Sequence, residues 1–169
     1  VTLGPVATDA LRAAIAAEPD GVLDEIARRH DAPPRAVFDL LAEGAARSAP
    51  GGRFAEIWGQ LTLWGPVVFI VHTMDGVFET KASLPPGSAG RGYFNIHGDS
   101  PLGGHLRADR RAAIYFIDRP FFKRRSFSLQ FVNLEGGAMF KVFVARDDKR
   151  ELLADQVALF ERLREAEAK

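Results

Sequence analysis

Between Arg125 and Val144 the chain alternates more strictly than anywhere else, and that alternation leaves few folds open. Phe127, Leu129 and Phe131 share one side, while Ser126, Ser128 and Gln130 share the other. A period of two is the signature of a strand, because successive side chains leave a pleated backbone on opposite faces. Leu134 to Gly137 supplies a turn, and Ala138 to Val144 returns with Phe140, Val142 and Val144 opposite Lys141. A return this short joins only antiparallel neighbours. The meander therefore has an apolar face that must be covered by another layer, and a second face expected to be wetter.

The flanking segments supply candidates for that cover. Thr8 or Asp9 is expected to cap a first helix running to Ala17, broken by Glu18-Pro19-Asp20-Gly21. Val22 to Arg29 carries Val22, Leu23, Ile26 and Ala27 at helical spacing, with His30 at its C-terminal end, where a cation suits the helix dipole. Pro33 or Pro34 opens a third helix with Val37, Phe38, Leu40 and Leu41 on one stripe. Residues 1–47 thus form a helical segment, and Ala45 to Arg53, rich in Gly, Pro and Ser, is expected to be a linker.

Residues 54–169 form the main body. Phe54, Ile57, Trp58 and Leu61 predict a short helix. PVVFIVHT, from Pro66 to Thr73, predicts a strand buried on both faces, turned at Met74-Asp75-Gly76 into Val77 to Leu84. Pro85-Pro86-Gly87 stops that hairpin. Gly90 to Arg107, GRGYFNIHGDSPLGGHLR, reads as a loop-rich stretch holding a short strand at Gly92 to Ile96. Arg111 to Asp118 is a further strand, ended by Arg119-Pro120. Asp147 and Asp148 are expected to begin a final helix with Leu152, Gln156, Leu159, Phe160 and Leu163 as its stripe and a fraying charged tail. Helices, then hairpin-linked strands, then one helix describe an α+β protein.

Composition narrows the chemistry. The 169 residues carry 22 Lys+Arg and 22 Asp+Glu, so no global charge attracts nucleic acid or an anionic membrane. Cys is absent, which removes disulfides, thiolate metal sites and covalent haem attachment. No apolar run reaches the ~20 residues of a membrane span, and the first residues lack the pattern of a signal peptide, so a cytoplasmic protein is expected. No G-x-S-x-G elbow, phosphate-binding loop or paired carboxylates stand out. The first three helices resemble a helix-turn-helix in rhythm, which leaves a DNA-binding regulator as an alternative. The third helix, however, carries Arg35, Asp39 and Glu43 instead of the Arg, Lys, Asn and Gln series that reads base edges.

The donors worth attention lie in and near the glycine-rich stretch. Tyr93 between Gly92 and Phe94, and His105 after Gly103-Gly104, are sterically unshielded and suit the face of a flat ligand. Tyrosine and histidine are both ligand types for haem iron. His72 ends an apolar strand and reads either as a core histidine or as an imidazole presented to a ligand. His97 reads as a solvent-facing loop residue. Their spacing matches no metal-ligand pattern, so residue type alone leaves loop furniture and ligand both open. Arg91, Arg107 and the Lys123-Arg124-Arg125 cluster could pair with the carboxylates of a dicarboxylate ligand.

Long ordered stretches now point to a family. AEPDG, WGPVVFIVHT, LPPGSAGRGYFNIHG, GGHLRAD and AMFKVFVARDDKRELLADQV resemble the cytosolic haem-utilisation carriers of the HutX/ChuX type, from about Ala16 to Leu163. The resemblance implies an α+β fold like one half of the duplicated intracellular haem-utilisation proteins, and a homodimer. It implies reversible, non-covalent haem binding in bacterial iron acquisition, with delivery to a downstream haem-degrading or haem-accepting protein and no enzymatic step. It also implies His72, His105 and Tyr93 as candidate axial ligands. A haem- or tetrapyrrole-processing enzyme using the same donors is the other alternative.

Overall fold

The structure is a computed structural model describing residues 3–169. Its centre is a six-stranded antiparallel sheet built around the alternating meander. In chain order the strands are β1 (Ala46–Pro50), β2 (Val67–His72), β3 (Val77–Ala82), β4 (Gly87–Gly90), β5 (Tyr93–Ile96), β6 (Gly104–Arg107), β7 (Arg111–Asp118), β8 (Phe127–Asn133) and β9 (Ala138–Phe143). The large sheet runs β1-β7-β8-β9-β2-β3, and β4-β5-β6 make a second, three-stranded antiparallel sheet. The helices are α1 (Pro5–Ala17), α2 (Leu23–Arg29), α3 (Pro34–Phe38), α4 (Phe54–Leu61) and α5 (Ala154–Glu167). The α+β class expected from the sequence is the class observed.

Both faces of the large sheet are covered. On one, Phe127, Leu129, Phe131, Phe140 and Val142 meet α4, α5 and the inner side of the small sheet. Phe54 and Trp58 of α4 sit at the centre of that layer, fully buried, with the Trp58 indole N–H donating to the Pro85 carbonyl at 2.8 Å. Gln156 of α5 is buried too. Its amide accepts from Ala145 N and donates to the Trp64 and Pro66 carbonyls, so its polar atoms are satisfied.

The other face was expected to be wet and is not. Ser128, Gln130 and Lys141 are 3%, 3% and 5% exposed, because α1, α2 and α3 lie over this side. Leu11, Ile26, Val37 and Phe38 pack against Tyr115, Ile117 and Val132. Lys141 reaches Asp24 of α2, and both side chains are largely removed from water. Alternation predicted the strand correctly, but a buried ion pair made a polar face compatible with burial.

Other expectations need correction. The first helix begins at Pro5, with Gly4 as N-cap. Thr8 is inside it and its hydroxyl donates back to the Gly4 carbonyl. The expected linker contains β1, an edge strand paired with β7, where a terminal proline costs no ladder hydrogen bond on the open side. β2 is buried only at Val67 and half-buried beyond it, since only β3 separates it from the sheet edge. Asp147 closes a turn, its Oδ1 accepting from Lys149 N and Glu151 N, and the last helix waits until Ala154. The tail does not fray, because Lys169 exchanges backbone hydrogen bonds with Ser48 of β1.

Candidate functional site

The glycine-rich stretch holds the short strand expected at Gly92 to Ile96, as β5, and also β6, both in the small sheet, and this places its donors. β5 pairs with β4 (Ser88 opposite Asn95, Gly90 opposite Tyr93) and with β6 (Asn95 opposite His105, Tyr93 opposite Arg107). Arg91 and Gly92 close the first hairpin with φ of 53° and 80°. Two successive positive φ values are the mark of a type I′ turn, whose twist matches the strands it joins. β4 and β6 escape sequence reading because glycine has little strand propensity and gives no alternation.

The small sheet has one dry side and one open side. Phe94 and Ile96 are buried, and Leu106 packs beside them on the main core. The alternate residues Tyr93, Asn95, His105 and Arg107 therefore face outward. Tyr93 and His105 meet edge to face, with ring centroids 6.2 Å apart. Tyr93 keeps 41% of its surface exposed. A Cβ built at Gly92 or Gly104 would meet no heavy atom within 4 Å, so the backbone at these points is open to a flat ligand.

Asn95 joins the two strands behind these rings. Its Nδ2 lies 3.2 Å from the Ser88 carbonyl and 3.3 Å from the Gly90 carbonyl, and its Oδ1 lies 2.7 Å from His105 Nδ1. Sequence reading passed over this residue. The signal that would have found it is the cross-strand pairing, which is invisible until the register is known. His97 also lies on the exposed side, 3.5 Å from the Ser88 hydroxyl.

The remaining candidates lie elsewhere or are engaged. His72 is on the face of β2 opposite Val67 and Phe69, so it looks away from the core that supports the small sheet. It stands 3.8 Å from Asp24 and 3.8 Å from Glu25 of α2, at a groove of about 590 Å³ that Arg28, Asp31 and Met74 also line. There the Arg28 hydrogen bond holds the Glu25 carboxyl below its ordinary range. Arg107 is clasped by Asp109 through two hydrogen bonds, which raise the guanidinium and lower the carboxyl. Arg91 is exposed at the hairpin tip. Arg124 and Arg125 belong to a different cleft, with Arg146 and Arg150, and Arg125 pairs with Asp118.

The fold thus brings Tyr93 and His105 together and leaves His72 apart. Among the described residues no group of three or more His, Cys, Asp or Glu side chains could hold a bare metal ion. A tyrosine and a histidine suit instead an iron that arrives with its equatorial positions filled, which needs only axial donors.

Residues 47–163 match the family model described as haem utilisation ChuX/HutX. The chain belongs to this family. A ChuX/HutX relative, the intracellular heme transport protein HutX of Vibrio cholerae, is 35% identical over 132 residues, spanning 76% of this chain and 68% of HutX. A solved structure of an Agrobacterium tumefaciens protein is 43% identical and covers 98% of both chains with a TM-score of 0.84. The structure of the heme binding protein ChuX is 35% identical, with a TM-score of 0.83 over 92% of this chain and 97% of ChuX. PhuS, a heme-binding protein from Pseudomonas aeruginosa, shares the fold at 18% identity and a TM-score of 0.73, this chain matching 48% of its length. The expected likeness to one half of a longer haem-utilisation protein is therefore found at the level of fold.

Proposed function

We propose that this protein is a haem carrier that holds its cargo on the outer face of β4-β5-β6, with Tyr93 and His105 as axial donors. The single observation that carries the reading is the contact of these two rings on an exposed, glycine-flanked sheet in a ChuX/HutX chain. An open face favours exchange, since a carrier must release what it binds. The same openness speaks for carriage over turnover, because chemistry on haem would call for a closed site that excludes water. Haem binds here as cargo, reversibly and without covalent attachment.

The setting we infer is the cytoplasm, with a homodimer as the working form and a haem-accepting or haem-degrading protein as recipient. His72 serves an iron only at its own groove beside α2, separate from the pair on the small sheet. Arg91, exposed at the hairpin tip, is placed to meet a propionate, whereas Arg107 would first have to leave Asp109.

Haemin titration followed by absorbance tests this. Wild type is expected to saturate near one haem per chain and to give the haem up to excess apomyoglobin. Tyr93→Phe and His105→Ala are expected to change the bound spectrum, and His72→Ala to leave it as in wild type. Absence of saturable binding would sink the carrier reading. Unaltered spectra in both sheet variants would move ligation off this face.

A further inference from the structure

We infer that Asn95 sets the tautomer of His105, presenting Nε2 as the free ligating nitrogen and leaving the imidazole a moderate donor. The inference deepens the haem reading and rests on it for its functional half. Its structural half stands on hydrogen bonds alone.

The amide orientation is decided by its partners. The carbonyls of Ser88 and Gly90, at 3.2 and 3.3 Å, are acceptors only, so the group facing them must be the NH₂. A flipped amide would set its oxygen against two carbonyl oxygens and its NH₂ against His105. With Oδ1 toward the ring, 2.7 Å from Nδ1, the proton between them belongs to Nδ1. A neutral imidazole has one protonated nitrogen, so Nε2 keeps its lone pair. Free histidine in water favours the opposite tautomer, with the proton on Nε2. Asn95 therefore prepares a ligand that solvent would mostly leave masked.

The identity of the acceptor matters as much as its position. Histidines on metals commonly donate the far N–H to a carboxylate or carbonyl, and that partner tunes ligand strength. A carboxylate pulls the Nδ1 proton and pushes the ring toward imidazolate, a stronger donor. An amide oxygen accepts the same hydrogen bond without a charge. At a site that must let its cargo go, the amide orients the ring while leaving the iron bond exchangeable. The two carbonyls that hold Asn95 come from β4, so the arrangement needs all three strands of the small sheet.

Two variants separate orientation from strength. Asn95→Leu removes the acceptor and Asn95→Asp replaces it with a charge, with circular dichroism verifying the fold of each. Nitrogen-15 NMR of the ligand-free protein is expected to show His105 of wild type protonated at Nδ1, and Asn95→Leu shifted toward the Nε2–H form. Finding wild-type His105 protonated at Nε2 overturns the inference, whatever the protein binds. With haemin, Asn95→Leu is expected to bind about tenfold or more weakly, the lower end of what loss of such a partner costs a metal site. Asn95→Asp is expected to bind more tightly and hand haem to apomyoglobin several-fold more slowly, with a lowered iron potential. If wild type binds no haem, the carrier reading fails while the nitrogen shifts still decide the tautomer. If wild type binds haem and both variants match it in affinity, transfer rate and potential, the tuning role of Asn95 is refuted.

Discussion

Replacing Gly87 by alanine adds one methyl group where a buried ring already stands. Gly87 opens β4 directly behind the Phe94 ring, and a Cβ there would lie 2.2 Å from Cε1 and 2.5 Å from Cζ. Carbon atoms in contact prefer about 3.5–4.0 Å, so the overlap exceeds roughly 1 Å. Gly87 is an extended strand residue outside the left-handed region, so alanine suits its backbone and the collision is the whole effect. The ring cannot swing aside cheaply. It is 4% exposed and wedged edge-on against Phe54, with centroids 5.0 Å apart, and against Trp58 at 6.0 Å. Overpacking of this kind costs about 2 kcal/mol. For a domain of this size that is a fall in Tm of roughly 6 °C. Since Tyr93 and Asn95 flank Phe94 on β5, the same displacement is expected to weaken haem binding. Phe94→Leu alone loses packing, yet it makes room for the new methyl. The Gly87→Ala/Phe94→Leu pair should therefore be less destabilised than the sum of its parts, by about 1 kcal/mol or more. Thermal unfolding followed by circular dichroism reads all four proteins. An unchanged Tm in Gly87→Ala together with strict additivity in the double variant would refute the reasoning.

Two further outcomes follow from groups under the N-terminal helices. Lys141→Met leaves Asp24 nearly buried without its cation, and urea unfolding should register a loss of about 3 kcal/mol, much of it recovered in Lys141→Met/Asp24→Leu. Burial, followed by the Asp39 hydrogen bond, raises the Tyr115 phenol from 10.0 to about 12. The fold thus favours the protonated phenol. Its contribution is intact below pH 10 and is lost as pH rises from about 10 through 12. Tyr115→Phe should flatten the stability profile across that window, and an unchanged alkaline slope would remove Tyr115 as its source.

What could be read directly from the chain depended on how local the controlling interactions are. β7 was legible because an apolar run ends at Arg119-Pro120, and α4 because Phe54, Ile57, Trp58 and Leu61 recur at helical spacing and are all buried. β8 and β9 were legible from period two alone. The cover on their polar face was not, because it depends on Asp24 meeting Lys141, 117 residues away. β4 and β6 were hidden by glycine, and β1 by its place in a Gly/Pro/Ser segment. The candidate site was half legible. Tyr93 and His105 stood out as unshielded donors beside glycines, but their meeting follows from strand register. The separation of His72 follows from which face of β2 it occupies. Asn95 has no distinguishing mark in the sequence at all.

The large sheet has two unlike borders. Along β1 the outer margin is occupied in part by the backbone of Lys169, hydrogen-bonded to Ser48, and the strand ends in Pro50. Along β3 no strand follows among the described residues, and the ladder positions there are unpaired. Of the two margins of the large sheet, β3 is thus the more open to another strand. A β3-to-β3 pairing across a two-fold axis would use that margin in both copies. The contact between Lys169 and Ser48 narrows the β1 margin, so strand addition to this sheet is expected at β3.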